Sequence, residues 1–201
     1  MTTDLFETAA HEAIRRWKGL EGQLAMEVRD RDRIDEDFLR RWLGAWMLAR
    51  SNPRPLRVAL AASLHDARRR VQEAANGELG NLIGRLAKEM FDQDVTKGRQ
   101  TSLVSKFAFS LRPEEIAIYD KHGRYALAEE VGQRIKEHDY VAYLKAFYRF
   151  AQTCGRILDE TALTERLRPR WQPVMTERLF KLRTADKLLM LRGGFPIHLM
   201  Q

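Results

Sequence analysis

Apolar residues recur along this chain at intervals of three and four, the period at which one face of a helix repeats. From Asp4 to Lys18 they fall at Leu5, Ala9, Ala13 and Trp17. That predicts a helix, which Gly19 and Gly22 are expected to break. Asp35 is placed to cap a helix running through Arg50, with Phe38, Leu39, Trp42, Leu43, Trp46 and Met47 on one side. The Ser-Asn-Pro-Arg-Pro stretch at 51–55 ends it, because a residue before proline is pushed out of the helical region. Leu56–Ala75 reads as a further helix with the basic end Arg68, Arg69, Arg70. Asn76 and Gly77 read as a turn, and Glu78–Phe91 is amphipathic through Leu79, Leu82, Ile83, Leu86 and Met90.

Asp92–Gln100 is a polar loop. Thr101 or Ser102 is placed to cap the next helix, which reaches about Leu111 before Arg112 and Pro113 stop it. Glu114–Ile118 is a short turn or extended piece. Asp120 is expected to cap a helix over Lys121–His138, and Asp139 another over Tyr140–Leu158. Thr161–Arg192 reads as two shorter basic helices split at Pro169–Pro173, ended by Gly193 and Gly194. No segment alternates convincingly as a strand. The expected fold is all-α, with eight to ten helices. The expected organisation is one domain over 1–201, in which 1–52 could form an N-terminal helical part packed on a core of 53–201.

Composition adds constraints. With 201 residues, 44% of them hydrophobic and 31% charged, the chain can bury a core and is not a disordered segment. Its one cysteine, Cys154, excludes an internal disulfide and a cysteine-based metal cluster, and fits a reducing, cytoplasmic setting. The first residues lack the basic and apolar regions of a secretory signal, and no apolar run is long enough for a membrane span. His11, His65, His138 and His198 show no ligand spacing with carboxylates. No metal and no cofactor are therefore expected.

The net charge is +7. The excess gathers late, with eight basic and three acidic residues between Leu163 and Arg192. Arginine, the commoner cation here, matches phosphate oxygens through its planar fork. This balance favours an anionic partner such as DNA, with a merely basic soluble surface as the alternative.

The segment Thr101–Leu127 carries the candidate chemistry. Lys106 sits among Leu103, Val104, Phe107, Ala108 and Phe109. Half-buried, such an amine loses stabilisation of its charged form and can act as a nucleophile. Its alternative is a stem lying over the core with the ammonium in solvent. Asp120 could stabilise a cationic transition state, or serve only as a helix cap.

The order of Ser105 and Lys106 opening an apolar helix, then Pro113, then Ile118-Tyr119-Asp120-Lys121-His122, resembles the core of the helix-hairpin-helix superfamily of DNA glycosylases, in the 8-oxoguanine glycosylase-like branch. The resemblance spans residues 101–127. It implies that Lys106 attacks the sugar carbon of a flipped nucleotide and that Asp120 assists, with His122 matching the family's histidine. It also implies excision of a damaged or modified base, with or without strand-cleaving lyase activity, in repair or in defence against phage. The Gly-rich hairpin that precedes the lysine in that superfamily is replaced here by a stretch holding only Gly98. Around the pair, Lys97, Arg99, Lys121, His122, Arg124, Arg168 and Arg170 are candidate DNA contacts, which Arg166, Arg178, Lys181 and Arg183 could extend. Phe109, Tyr119 and Trp171 are candidate walls for an extruded base, or else core. The other class of function is a non-enzymatic all-α module that binds DNA or a protein.

Overall fold

The structure, a computed structural model, describes residues 3–194. Among them are ten α-helices and no strand, so the protein is all-α. None of these helices is long and apolar enough to cross a membrane. The chain divides into two compact units, one of residues 1–19, 119–137 and 142–201, the other of 20–118 and 138–141. The chain passes between the units at 19/20, 118/119, 137/138 and 141/142.

The unit containing 20–118 holds α2 (Leu20–Asp30), α3 (Glu36–Ala45), α4 (Arg57–Glu73), α5 (Leu79–Asp92) and α6 (Thr101–Leu111). Helix α6 is its centre and packs on α2, α4 and α5. Its apolar residues and small hydroxyl residues allow that position, and nine of its eleven residues are buried. Trp42 of α3 joins this core, edge-on to Phe107 at 6.1 Å. Arginines finish the helix ends. Arg68 donates to the carbonyls of Arg29 and Arg31 at the end of α2. Arg112 donates to Val71 and Ala74 at the end of α4. Each guanidinium thereby satisfies carbonyls that have no partner within their own helix.

The other unit holds α1 (Thr3–Lys18), α7 (Lys121–Glu130), α9 (Leu163–Trp171), α10 (Glu177–Arg192) and, from Ala142 on, α8 (Tyr140–Glu160). Helix α10 is its centre, packed on α1, α7 and α9. The face of α1 that is buried consists of Phe6, Ala9, Ala10, Ala13 and Ile14, and its three alanines allow close approach to α10. Trp17 stays half-buried and donates its indole N–H to the Val174 carbonyl at 2.9 Å.

Several expected boundaries move. Gly19 ends α1 but Gly22 lies buried inside α2, which the sequence pattern did not separate. Asp35 caps α3 by accepting from the Phe38 N–H at 2.7 Å, yet the helix ends at Ala45, not Arg50. Neither Thr101 nor Ser102 caps α6; Gln100 stands at that position without a side-chain bond. Helix α7 stops at Glu130, well short of His138, and Gly132 beyond it takes φ +63°, a conformation that suits glycine after a helix end. Pro169 does not split the basic region. It lies exposed inside α9, and the break comes after Trp171.

Candidate nucleic-acid interface

The two residues singled out for chemistry occupy different units, Lys106 in that of 20–118 and Asp120 in the other. Lys106 is half-buried on α6. Its Nζ donates to the Trp46 carbonyl at 3.3 Å and lies 5.9 Å from the Trp46 ring centroid. Trp46 closes α3, where carbonyls lack helical partners and a cation is favoured. Asp120 is the N-cap of α7, its Oδ1 accepting from the Gly123 N–H at 2.7 Å. His122 Nδ1 lies 2.7 Å from the Gly193 carbonyl. A carbonyl only accepts, so Nδ1 carries the proton there. Each residue of the motif therefore has structural work within its own unit.

The candidate DNA contacts are scattered and many are tied down. Arg99 donates to the Gly84 carbonyl at 3.2 Å. Arg124 donates to the Ile135 carbonyl at 3.0 Å and covers the Tyr125 ring, which Lys121 also approaches. Arg168 pairs with Glu165, Arg166 with Glu7, and Arg170 bonds His11. Lys97 is exposed in its loop. Arg183 does not extend the surface, because it is buried in α10 and donates to Asp186 at 2.9 Å. The three aromatic candidates are buried: Phe109, Tyr119 and Trp171 are 2%, 5% and 4% exposed. Trp171 stacks on Phe180 at 5.4 Å. Its indole N–H donates to the Thr164 carbonyl at 3.0 Å.

What the structure does bring together is an open groove of about 800 Å³ between α8 and α10, wholly within one unit. Ala151, Gly155 and Leu182 contribute to a largely apolar lining, which Tyr148 joins. A Cβ on Gly155 would meet Lys181 Cδ at 3.5 Å, so the Lys181 stem lies across this point. Its ammonium is tied to Asp159 at 2.8 Å and to Glu177 at 2.6 Å. Burial pulls the Lys181 pKa down, but the bonds to Asp159 and Glu177 outweigh it and hold the ammonium above its ordinary value. For Asp159 burial pushes the pKa up, and the bonds from Lys181 and Thr164 overcome it, leaving the carboxyl lowered.

Lys181 between two carboxylates leaves one net negative charge, and Arg149 and Arg156 on α8 with Arg178 on α10, all exposed, keep the lining cationic. Arg149 and Arg156 form no ion pair with a described residue, and neither does Lys145, one turn before Arg149. Spaced by four and seven, these three cations make one stripe along α8. Beneath it, Cys154 is buried, and burial pushes its thiol up to about 12. Such a thiol is inert at neutral pH.

The lowered Asp159 gives a pH dependence with a defined sign. A carboxyl whose folded pKa is depressed stabilises the fold above its unfolded pKa and loses that contribution as pH falls through the folded one. Asp159→Asn should therefore lower the unfolding midpoint near pH 7, and its difference from the parent protein should close as pH falls below the ordinary carboxylate range. The half-exposed pair limits the effect to about 1 kcal/mol. Denaturant titrations at several pH values read it directly.

Among the described residues no group of histidine, cysteine and carboxylate side chains is arranged to hold a metal ion; His198 lies outside them. Comparison with protein-family models, curated proteins and solved structures finds no match for this chain.

Proposed function

We propose that this protein binds nucleic acid through the cationic face of α8, by charge and shape and without covalent chemistry. The observation that carries this reading is the stripe of Lys145, Arg149 and Arg156, which stand exposed beside a groove whose lysine is held between two carboxylates. Cations that are not paired within the protein are available to displace counterions from phosphates. The chain's charge of +7 adds a long-range attraction of the same sign.

The test is fluorescence anisotropy of labelled oligonucleotides across a salt series. Binding should weaken steeply with salt. Arg149→Ala with Arg156→Ala should make the slope of log K against log[salt] shallower by about 1.4 to 1.8, as expected for two lost phosphate contacts. Absence of salt-dependent binding, or a double variant that binds like the parent protein, would overturn the reading.

Base excision by Lys106 and Asp120, as the glycosylase resemblance implies, is the second reading. It is favoured by one observation, the half-buried amine on a helix of which nine residues are buried. Borohydride reduction in the presence of lesion-bearing duplexes separates the two. The first reading expects no adduct and no base release. A covalent adduct lost in Lys106→Met would transfer the assignment to the second.

A further inference from the structure

Resting on the nucleic-acid reading, we infer that the α8–α10 groove takes a single strand rather than a duplex, with a base stacked on Tyr148. The site is concave and lies between two neighbouring helices, with arginines contributed by both: Arg149 and Arg156 from α8, Arg178 from α10. Duplex readers insert a projecting helix or ribbon into a wide groove of DNA. A recess of about 800 Å³ does the reverse, and a strand narrow enough to enter it is one chain of nucleotides.

The lining fits that occupant. Single-strand binders combine a cationic track for the backbone with an aromatic platform for the bases. Here Tyr148 is half-buried, held edge-on by Phe147 at 6.0 Å, and lines the groove next to Arg149. Ala151 adds small apolar lining between Tyr148 and the point where the Lys181 stem crosses Gly155. From Lys145 to Arg156 the stripe advances about 16 Å along the helix axis, at 1.5 Å per residue, enough to meet several successive phosphates.

The experiment uses the full chain and labelled oligomers of about twelve nucleotides, within the range such sites cover: single-stranded DNA, single-stranded RNA, an abasic strand and a duplex. Single strands should bind at least about tenfold tighter than the duplex. Tyr148→Leu, which keeps an apolar side chain on the helix, should weaken them about tenfold while leaving the abasic strand unaffected. Tyr148→Phe should restore binding. Preference for DNA or for RNA among single strands supports the inference equally and names the source. Binding that needs Arg149 and Arg156 but favours the duplex, or ignores Tyr148→Leu, overturns this inference and leaves the broader reading standing. Displacement by polyglutamate as effective as by a single strand overturns it in favour of an acidic protein partner. Loss of all oligonucleotide binding by a folded parent protein overturns both.

Discussion

Trp42→Ala should destabilise the unit containing 20–118 by about 3 to 5 kcal/mol, among the largest effects of any single substitution in it. The side chain is 0% exposed. It meets Phe107 edge-on at 6.1 Å and Trp46 at 6.3 Å, so truncation removes aromatic contacts as well as buried area. Because α6 is enclosed by α2, α4 and α5, the surroundings cannot easily collapse into the space left behind. A sharp fall in the denaturation midpoint, followed by far-UV circular dichroism, is the expected result, together with faster amide exchange along α6. Lys106→Met makes the informative comparison. Its ammonium bonds one carbonyl at the end of α3, and the half-buried stem is replaced by one of similar length. The change should cost no more than about 1.5 kcal/mol. If Trp42→Ala were as mild as that, the packing described around α6 would be wrong.

The sequence pattern reveals helices where the apolar period is strong and loses them where tertiary contacts decide. Asp35 and Asp120 are legible as caps because the bond each makes is to an N–H three residues on. Helix α2 is not, because Gly22 looks like a breaker until it is seen buried among packed neighbours. Pro169 misleads in the same way. The carbonyl that its ring leaves unbonded lies on a solvent-facing side of α9, where water can take it. For Lys106 the apolar surroundings correctly suggest a half-buried amine, but its carbonyl partner lies sixty residues away in sequence and no local rule points there.

The α8–α10 groove escapes sequence reading for two reasons. Helix α8 carries three cations and two carboxylates, so charge counting passes over it and the cations emerge only as one face. Lys181 is paired by Glu177 on its own helix and again by Asp159, which reaches it from α8. Counting basic residues between Leu163 and Arg192 therefore overstates the available charge there, since Arg166, Arg168, Lys181 and Arg183 are each paired. The useful quantity for an anionic partner is unpaired exposed charge, and on α8 three such cations share one face.

Gly193→Ala should destabilise the other unit by about 3 kcal/mol, the upper end for inserting a methyl group into a packed site. A Cβ built there would lie 2.4 Å from the His122 carbonyl oxygen and 2.7 Å from its carbon. Both are backbone atoms of the first turn of α7, so no side chain can swing aside to make room. The same place is pinned by His122 Nδ1 on the Gly193 carbonyl at 2.7 Å. The end of α10 and the start of α7 would have to separate, breaking that bond and disturbing the ion pair of Arg192 with Glu130. Backbone conformation is not the cause, because φ at Gly193 is −73°, which alanine adopts freely. Two controls isolate the steric term. Gly77→Ala has open space around its Cβ and no unusual φ, and should change stability by less than about 0.5 kcal/mol. His122→Ala removes the hydrogen bond without the clash and should cost about 1 kcal/mol. Chemical denaturation of the three variants side by side checks the order. Gly193→Ala matching Gly77→Ala would mean that α10 and α7 do not approach as closely as described, and with them the seating of Asp120 and His122 would need to be redrawn.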